Sequence, residues 1–200
     1  MGLAQLYEKK SDLQLAAVWW RSLRRRWPAD FRGYVGGADC LAELGRLEEA
    51  AAILKVGTGY LPNEPEILIR RARIAAQLKD WPTALKAWGH MADELGKPVA
   101  VVGAAQVLEA MGDDNAARVR LLDGRTKYPY DRDILIALAR LTERLESPVN
   151  AMTYWNDLRM VFPRWKPAYN ESARCLSLVG RHDDAVVVWD EWKLRFPEAP

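Results

Sequence analysis

The chain of 200 residues predicts an all-α solenoid, a stack of about six helical hairpins. Three observations carry that expectation. Alanine recurs at Ala4, Ala38, Ala72, Ala105, Ala139 and Ala173, in steps of 34, 34, 33, 34 and 34 residues. A second row follows twelve residues behind, at Ala16, Ala50, Ala84, Ala117, Ala151 and Ala185. With 28 alanines in 200 residues, one row of six has chance odds of roughly one in 10^5 per register. The third observation is a matching row of helix breakers at Pro28, Pro62, Gly96, Pro129, Pro163 and Pro197.

The elements follow in order. Two helices are expected per unit, a turn between them and a breaker after the second. They fall at 3–9 and 13–27, 31–44 and 47–60, 65–78 and 81–94, 99–111 and 114–127, 132–145 and 148–161, and 166–179 and 182–195. Ser11 with Gln14, and Asn63 with Glu66, have capping-box spacing. Asp80 and Asp113 are placed to cap, and Ser147 followed by Pro148 reads as an N-cap and a first-turn proline. Between the second alanine and the breaker stands a large side chain, Trp20, Leu54, Trp88, Leu121, Trp155 or Trp189. Paired helices approach closely only where both carry small side chains, and the large row fills the space beside that seam. Trp19 and Trp192 are the tryptophans expected to reach the surface.

A helix-turn-helix unit of 34 residues with small, small, large and proline rows resembles the tetratricopeptide repeat (TPR). The unit from Phe31 to Asn63 carries it most clearly, with Tyr34, Ala38, Leu41, Gly45, Ala50, Leu54 and Pro62 at family positions. Gly96 in place of proline, and bulky Met91 and Trp192 late in second helices, depart from the pattern. The resemblance implies a right-handed α-solenoid over residues 1–200 as a single domain, the first unit truncated. The Ala151, Trp155, Leu158, Phe162, Pro163 pattern looks like the TPR arrays of bacterial multidomain proteins.

Composition excludes several function classes. Twenty-nine basic and 27 acidic residues leave a net charge of +2, so no general affinity for nucleic acid or anionic lipid is expected. No apolar run reaches membrane-spanning length. Cys40 and Cys175 occupy equivalent places four units apart. At about 10 Å of advance per unit they cannot pair, so they read as core residues of a cytoplasmic protein. His90 and His182 lie three units apart and share no site. No nucleophile elbow, phosphate loop or zinc-binding HExxH occurs. The acidic pairs Asp113-Asp114 and Asp183-Asp184 stand at helix starts, where they complement the dipole. The Asn170-Glu171-Ser172 sequon falls inside a helix. A non-enzymatic protein without cofactor or metal is expected.

The resemblance implies that first helices line a concave groove. One stripe of it reads Val35, Ile69, Val102, Ile136 and Asn170, and the next Asp39, Arg73, Gln106, Arg140 and Arg174. On one reading this is a channel for a peptide with apolar anchors and acidic residues. On the other the aliphatics only pack between helices and the arginines pair with Glu109 and Glu143. Chaperone-tail recognition is set aside, because Val35 with Asp39 and Ile69 with Arg73 stand where its lysine and asparagine clamp belongs. Base-by-base RNA reading is set aside because Val35, Ile69, Val102 and Ile136 stand where polar base-reading residues are needed. Arg21, Arg24, Arg25 and Arg26 form the one dense basic cluster, at a helix end. The last helix, with Val186 to Trp189 and Trp192, has no polar cap after it. It is expected to self-associate or to meet a further segment of a longer protein. The expected function is a protein-binding scaffold. The alternative is an accessory repeat region of a larger bacterial glycosyl- or sulfotransferase-type enzyme.

Overall fold

The computed structural model of the protein describes residues 3–9 and 12–197. Twelve helices and no strand occur among the described residues. They are α1 (Leu3–Lys9), α2 (Leu13–Arg26), α3 (Phe31–Glu43), α4 (Leu47–Tyr60), α5 (Pro65–Gln77), α6 (Trp81–Asp93), α7 (Pro98–Ala110), α8 (Asp114–Lys127), α9 (Arg132–Leu145), α10 (Pro148–Val161), α11 (Lys166–Leu178) and α12 (His182–Arg195). Every expected helix is present, with ends within one residue. The fold class is all-α, of the solenoid type. Helices fall into two compact units, residues 1–111 and 112–200. In the first, α1 to α7 pack in chain order and α3 also touches α5; in the second, α8 to α12 pack in chain order.

Local chemistry sets the helix ends. Trp27, Leu61, Tyr128, Phe162 and Phe196 each precede a proline, which drives the preceding residue out of the helical region. All five lie at φ −121° to −137° and ψ 66° to 77° and still donate their N–H to the carbonyl four residues back. Where Gly96 replaces proline, the chain instead turns at a positive φ of 61°. The tyrosine six residues after two of these prolines ties the corner down. Tyr34 Oη donates to the Pro28 carbonyl at 3.0 Å, and Tyr169 Oη to the Pro163 carbonyl at 3.2 Å.

Four of the turns within hairpins use a left-handed residue, whereas the α9–α10 turn passes through Glu146 at φ −122°. Gly45 (φ 75°), Gly112 (83°) and Gly180 (76°) adopt the left-handed conformation, and so does Lys79 (58°), the equivalent of Gly45. At Gly45 the Arg46 N–H reaches the Leu41 carbonyl (2.8 Å) and the Gly45 N–H the Ala42 carbonyl (2.9 Å), which satisfies the helix end. Asp80 N–H to Ala75 and Lys79 N–H to Ala76 repeat the pattern. Asp80, Asp113 and Ser147 cap as expected. Asn63 does not. Pro65 starts α5, so Glu64 takes the cap position and accepts from the Glu66 N–H, while Asn63 Oδ1 lies 3.0 Å from His90 Nε2. Ser11 lies outside the described residues, and Asp12 caps α2.

Both alanine rows are buried without exception, none more than 7% exposed. The large row is buried too, except the half-buried Trp189. Two of its tryptophans depend on a glycine that the alanine pattern does not reveal. A Cβ on Gly36 would stand 2.4 Å from the Trp20 ring, and one on Gly103 2.4 Å from the Trp88 ring. Trp192 is buried, contrary to expectation. Its ring meets Tyr169 at 5.0 Å and Phe196 at 4.5 Å, in a core shared with Ala173, Ala185 and Val188. The apolar side chains that α12 leaves exposed are Val186, Val187 and Leu194. In the second unit, Arg125 pairs with Asp157 and Arg159 with Glu191, 34 residues on. Each guanidinium also lies 5.1 Å from a tyrosine ring, Tyr154 or Tyr169.

Gly103→Ala gains about 1 kcal/mol of helix propensity but overpacks the Trp88 ring, at a cost of about 1–3 kcal/mol. A lower melting temperature is expected. Combined with Trp88→Leu, the loss should be smaller than the sum of the two single changes. Strict additivity in the double-mutant cycle would show that the glycine and the ring are not in contact. Lys79→Gly should raise stability by about 1 kcal/mol, by removing a side chain from a left-handed position. Denaturant titration checks this, and an unchanged midpoint would remove the strain argument.

Candidate peptide-docking face

Equivalent first-helix positions recur because the hairpins have constant length. In the first unit, α3, α5 and α7 carry Val35 with Asp39, Ile69 with Arg73, and Val102 with Gln106. In the second, α9 and α11 carry Ile136 with Arg140, and Asn170 with Arg174. The four aliphatics are half-buried. Val35 packs against the core of Tyr34, Ala38, Leu41 and Leu54. Asn170 is exposed and breaks the aliphatic row.

The charged row divides. Asp39 accepts from Arg70 Nε at 2.8 and 3.1 Å, a bond from α3 to α5. Sequence spacing gave no sign of this, because Arg70 follows Ile69 and belongs to neither stripe. Arg174 is held by Glu143 of α9, at 2.8 and 2.6 Å, and by Glu171 at 2.7 Å. Hydrogen bonding by Glu143 raises the Arg174 pKa, and Arg174 holds the Glu143 carboxyl below its usual range. The expected pairing of these arginines with Glu143 therefore holds for Arg174. Arg73 and Arg140 are exposed and make no ion pair among the described residues. Gln106 is exposed. The open cations of the face are thus Arg73 in one unit and Arg140 in the other.

The two thiols are buried in one recurring setting. Cys40 lies 3.4 Å from Glu8 Oε1, an oxygen that also accepts from Trp20 Nε1 at 2.6 Å. Cys175 lies 3.9 Å from Glu143 Oε2. Glu8 and Glu143 each precede their cysteine by 32 residues. Burial, then the hydrogen bond to Glu8, pushes the Cys40 thiol up to about 12; burial, then the Glu143 charge, pushes Cys175 up to about 11. Among the described residues no group of three or more metal-ligating side chains occurs, and no helix is long and apolar enough to cross a membrane.

Thiolates attack, so both cysteines should react with a disulfide reagent at pH 8 only after unfolding. Rapid modification of the native protein would contradict the burial. The sign of the linkage is fixed by the raised pKa. The neutral Cys40 thiol stabilises the fold fully below its unfolded value of 9.0 and loses that contribution as pH rises toward about 12. Cys40→Ala should therefore flatten the alkaline decline in melting temperature over that window.

No protein-family model matches the chain, and no curated protein matches it. Solved structures do. PilF of Pseudomonas aeruginosa superposes with a TM-score of 0.66 at 12% identity, over 98% of this chain and 90% of that one. A tetratricopeptide repeat protein of Parabacteroides merdae gives 0.63 at 17%, over 98% and 78%. YrrB, described as a TPR protein with an unusual peptide-binding site, gives 0.53 at 12%, over 90% and 93%. At these identities what is shared is the fold.

Proposed function

We propose that the chain, whose fold is that of the tetratricopeptide repeat proteins, acts over residues 1–200 as one non-catalytic domain that docks a protein or peptide partner on its first-helix face. One observation carries this. Half-buried Ile69 and Ile136 stand on the same helices, α5 and α9, as Arg73 and Arg140, whose guanidiniums meet no carboxylate among the described residues, and half-buried Val35 and Val102 hold the equivalent places on α3 and α7. An arginine fork left open beside an apolar edge suits an acidic segment with apolar anchors. Asp39 and Arg174 have a different role in this reading. Their bonds to Arg70 and Glu143 brace neighbouring first helices and set the spacing of the face. The non-catalytic part is supported by the burial of both thiols, and free thiols also support a cytoplasmic setting. Self-association through α12 is a further part of the proposal. It uses Val186, Val187 and Leu194 in place of the buried Trp192.

The test is a partner recovered from a native-host extract and titrated against purified variants. Arg73→Glu with Arg140→Glu should weaken binding about tenfold or more at low salt, and the loss should shrink at high salt as charges are screened. Ile69→Asp should weaken it at every salt concentration, because a charge replaces an apolar anchor. Circular dichroism on the same samples separates lost affinity from lost fold. Full affinity in a folded Arg73→Glu, Arg140→Glu, Arg174→Glu variant would remove this face from consideration.

A further inference from the structure

A further apolar surface lies where α1, the end of α2 and the start of α3 meet. A cavity of about 410 Å³ opens there between Leu3, Trp19, Trp20, Leu23, Arg26, Trp27 and Arg32. A shallower depression of about 830 Å³ continues past Trp27 over Pro28, Ala29 and Phe31. Arg26 and Trp27 belong to both, so the two form one surface.

Its walls are unusual for a protein surface. Trp19 is 41% exposed, Trp27 55% and Leu3 50%, although large aromatic side chains are normally kept from water. The Trp27 backbone is set at the end of α2 by its N–H bond to the Leu23 carbonyl and by the following proline. Trp20, forming the floor, is held by Glu8. Aromatic side chains turn about only two χ angles, so they lose little entropy when they grip a ligand.

The charges select the ligand. Five arginines surround the surface, and the structure sorts them. Arg24 lies across α3, donates to the Gly33 carbonyl at 3.0 Å, and has its pKa pushed down by burial. Arg32 is paired with Asp30 at 2.6 Å. Arg21 is exposed and does not line these depressions. Arg25 and Arg26 are exposed and make no ion pair among the described residues. The Arg26 guanidinium stacks 5.5 Å above the Trp27 ring. Two open guanidiniums beside two exposed indoles match one or two carboxylates and a large apolar side chain. They do not match a polyanion, which needs a longer basic track.

We propose that this α1–α2–α3 edge binds an acidic peptide segment, inserting one large apolar side chain against Trp19 and Trp27 and placing its carboxylates on Arg25 and Arg26. The site is separate from the first-helix face and stands whether or not that face binds.

The test uses a fluorescein-labelled peptide, Asp-Glu-Trp-Leu-Asp-Glu, read by anisotropy against the whole chain. Saturable binding is expected, and it should be lost when the acidic positions are replaced by asparagine and glutamine. Arg26→Glu with Arg25→Glu should lower affinity about tenfold or more at low salt. Trp27→Ser should lower it at all salt concentrations, and Trp19→Ser gives the same reading should Trp27→Ser fail to fold. Arg73→Glu with Arg140→Glu should leave it unchanged. Absence of binding, full binding by both folded tryptophan variants, or loss only in the Arg73→Glu, Arg140→Glu variant would each overturn the proposal. So would tighter binding of a single-stranded oligonucleotide of equal charge at the same residues.

Discussion

Close approach of small side chains is the constraint on which the rest depends. Twelve alanines lie in the seams between helices, and all are buried. A methyl group is the largest side chain those seams admit, so the helices sit near enough for the large row to bridge from hairpin to hairpin. Where that row holds tryptophan, the neighbouring helix must give way further. Gly36 under Trp20 and Gly103 under Trp88 supply the room. Where it holds Leu54 or Leu121, both fully buried, a smaller side chain fills the space. The seam and the large row are therefore one packing problem, solved in volume rather than in chemistry.

Uniform hairpins follow from how they end. Five of the six second helices stop against a proline, with nearly identical backbone at the residue before it. Four hairpin turns stop on a left-handed residue, glycine in three places and Lys79 in the fourth. Because each end is set by local sterics, each hairpin has nearly the same length. Equivalent first-helix residues then recur on one face within a unit. A face so built needs no catalytic geometry, only repetition.

Charge is distributed by competition for partners. Asp39 goes to Arg70, Glu143 to Arg174, Asp30 to Arg32, and the Gly33 carbonyl to Arg24. These bonds brace helices or cap corners. Arg73, Arg140, Arg25 and Arg26 are among the exposed cations that make no ion pair among the described residues. Exposed pairs add little stability. The open cations gain their interest from the apolar groups beside them, since a charged contact screened from water is the stronger one.

The amino-acid order by itself determined the period, the helices and the seam. Those properties are local or repeat at fixed spacing, so alanine, proline and large residues declare them directly. The stripes were legible too, as positions, because register follows from the period. Tertiary structure decided what each position does. Trp192 was expected at the surface but is buried, because Tyr169 and Phe196, 23 residues before it and four after, close over it. Asn63 has capping-box spacing yet does not cap, because Pro65 moves the helix start to the next residue. The arginine row was one stripe in the sequence and became free and bound members in the fold. Pairing depends on side chains some thirty residues apart, such as Arg70 with Asp39, and no local spacing encodes which of two neighbouring arginines will reach the carboxylate.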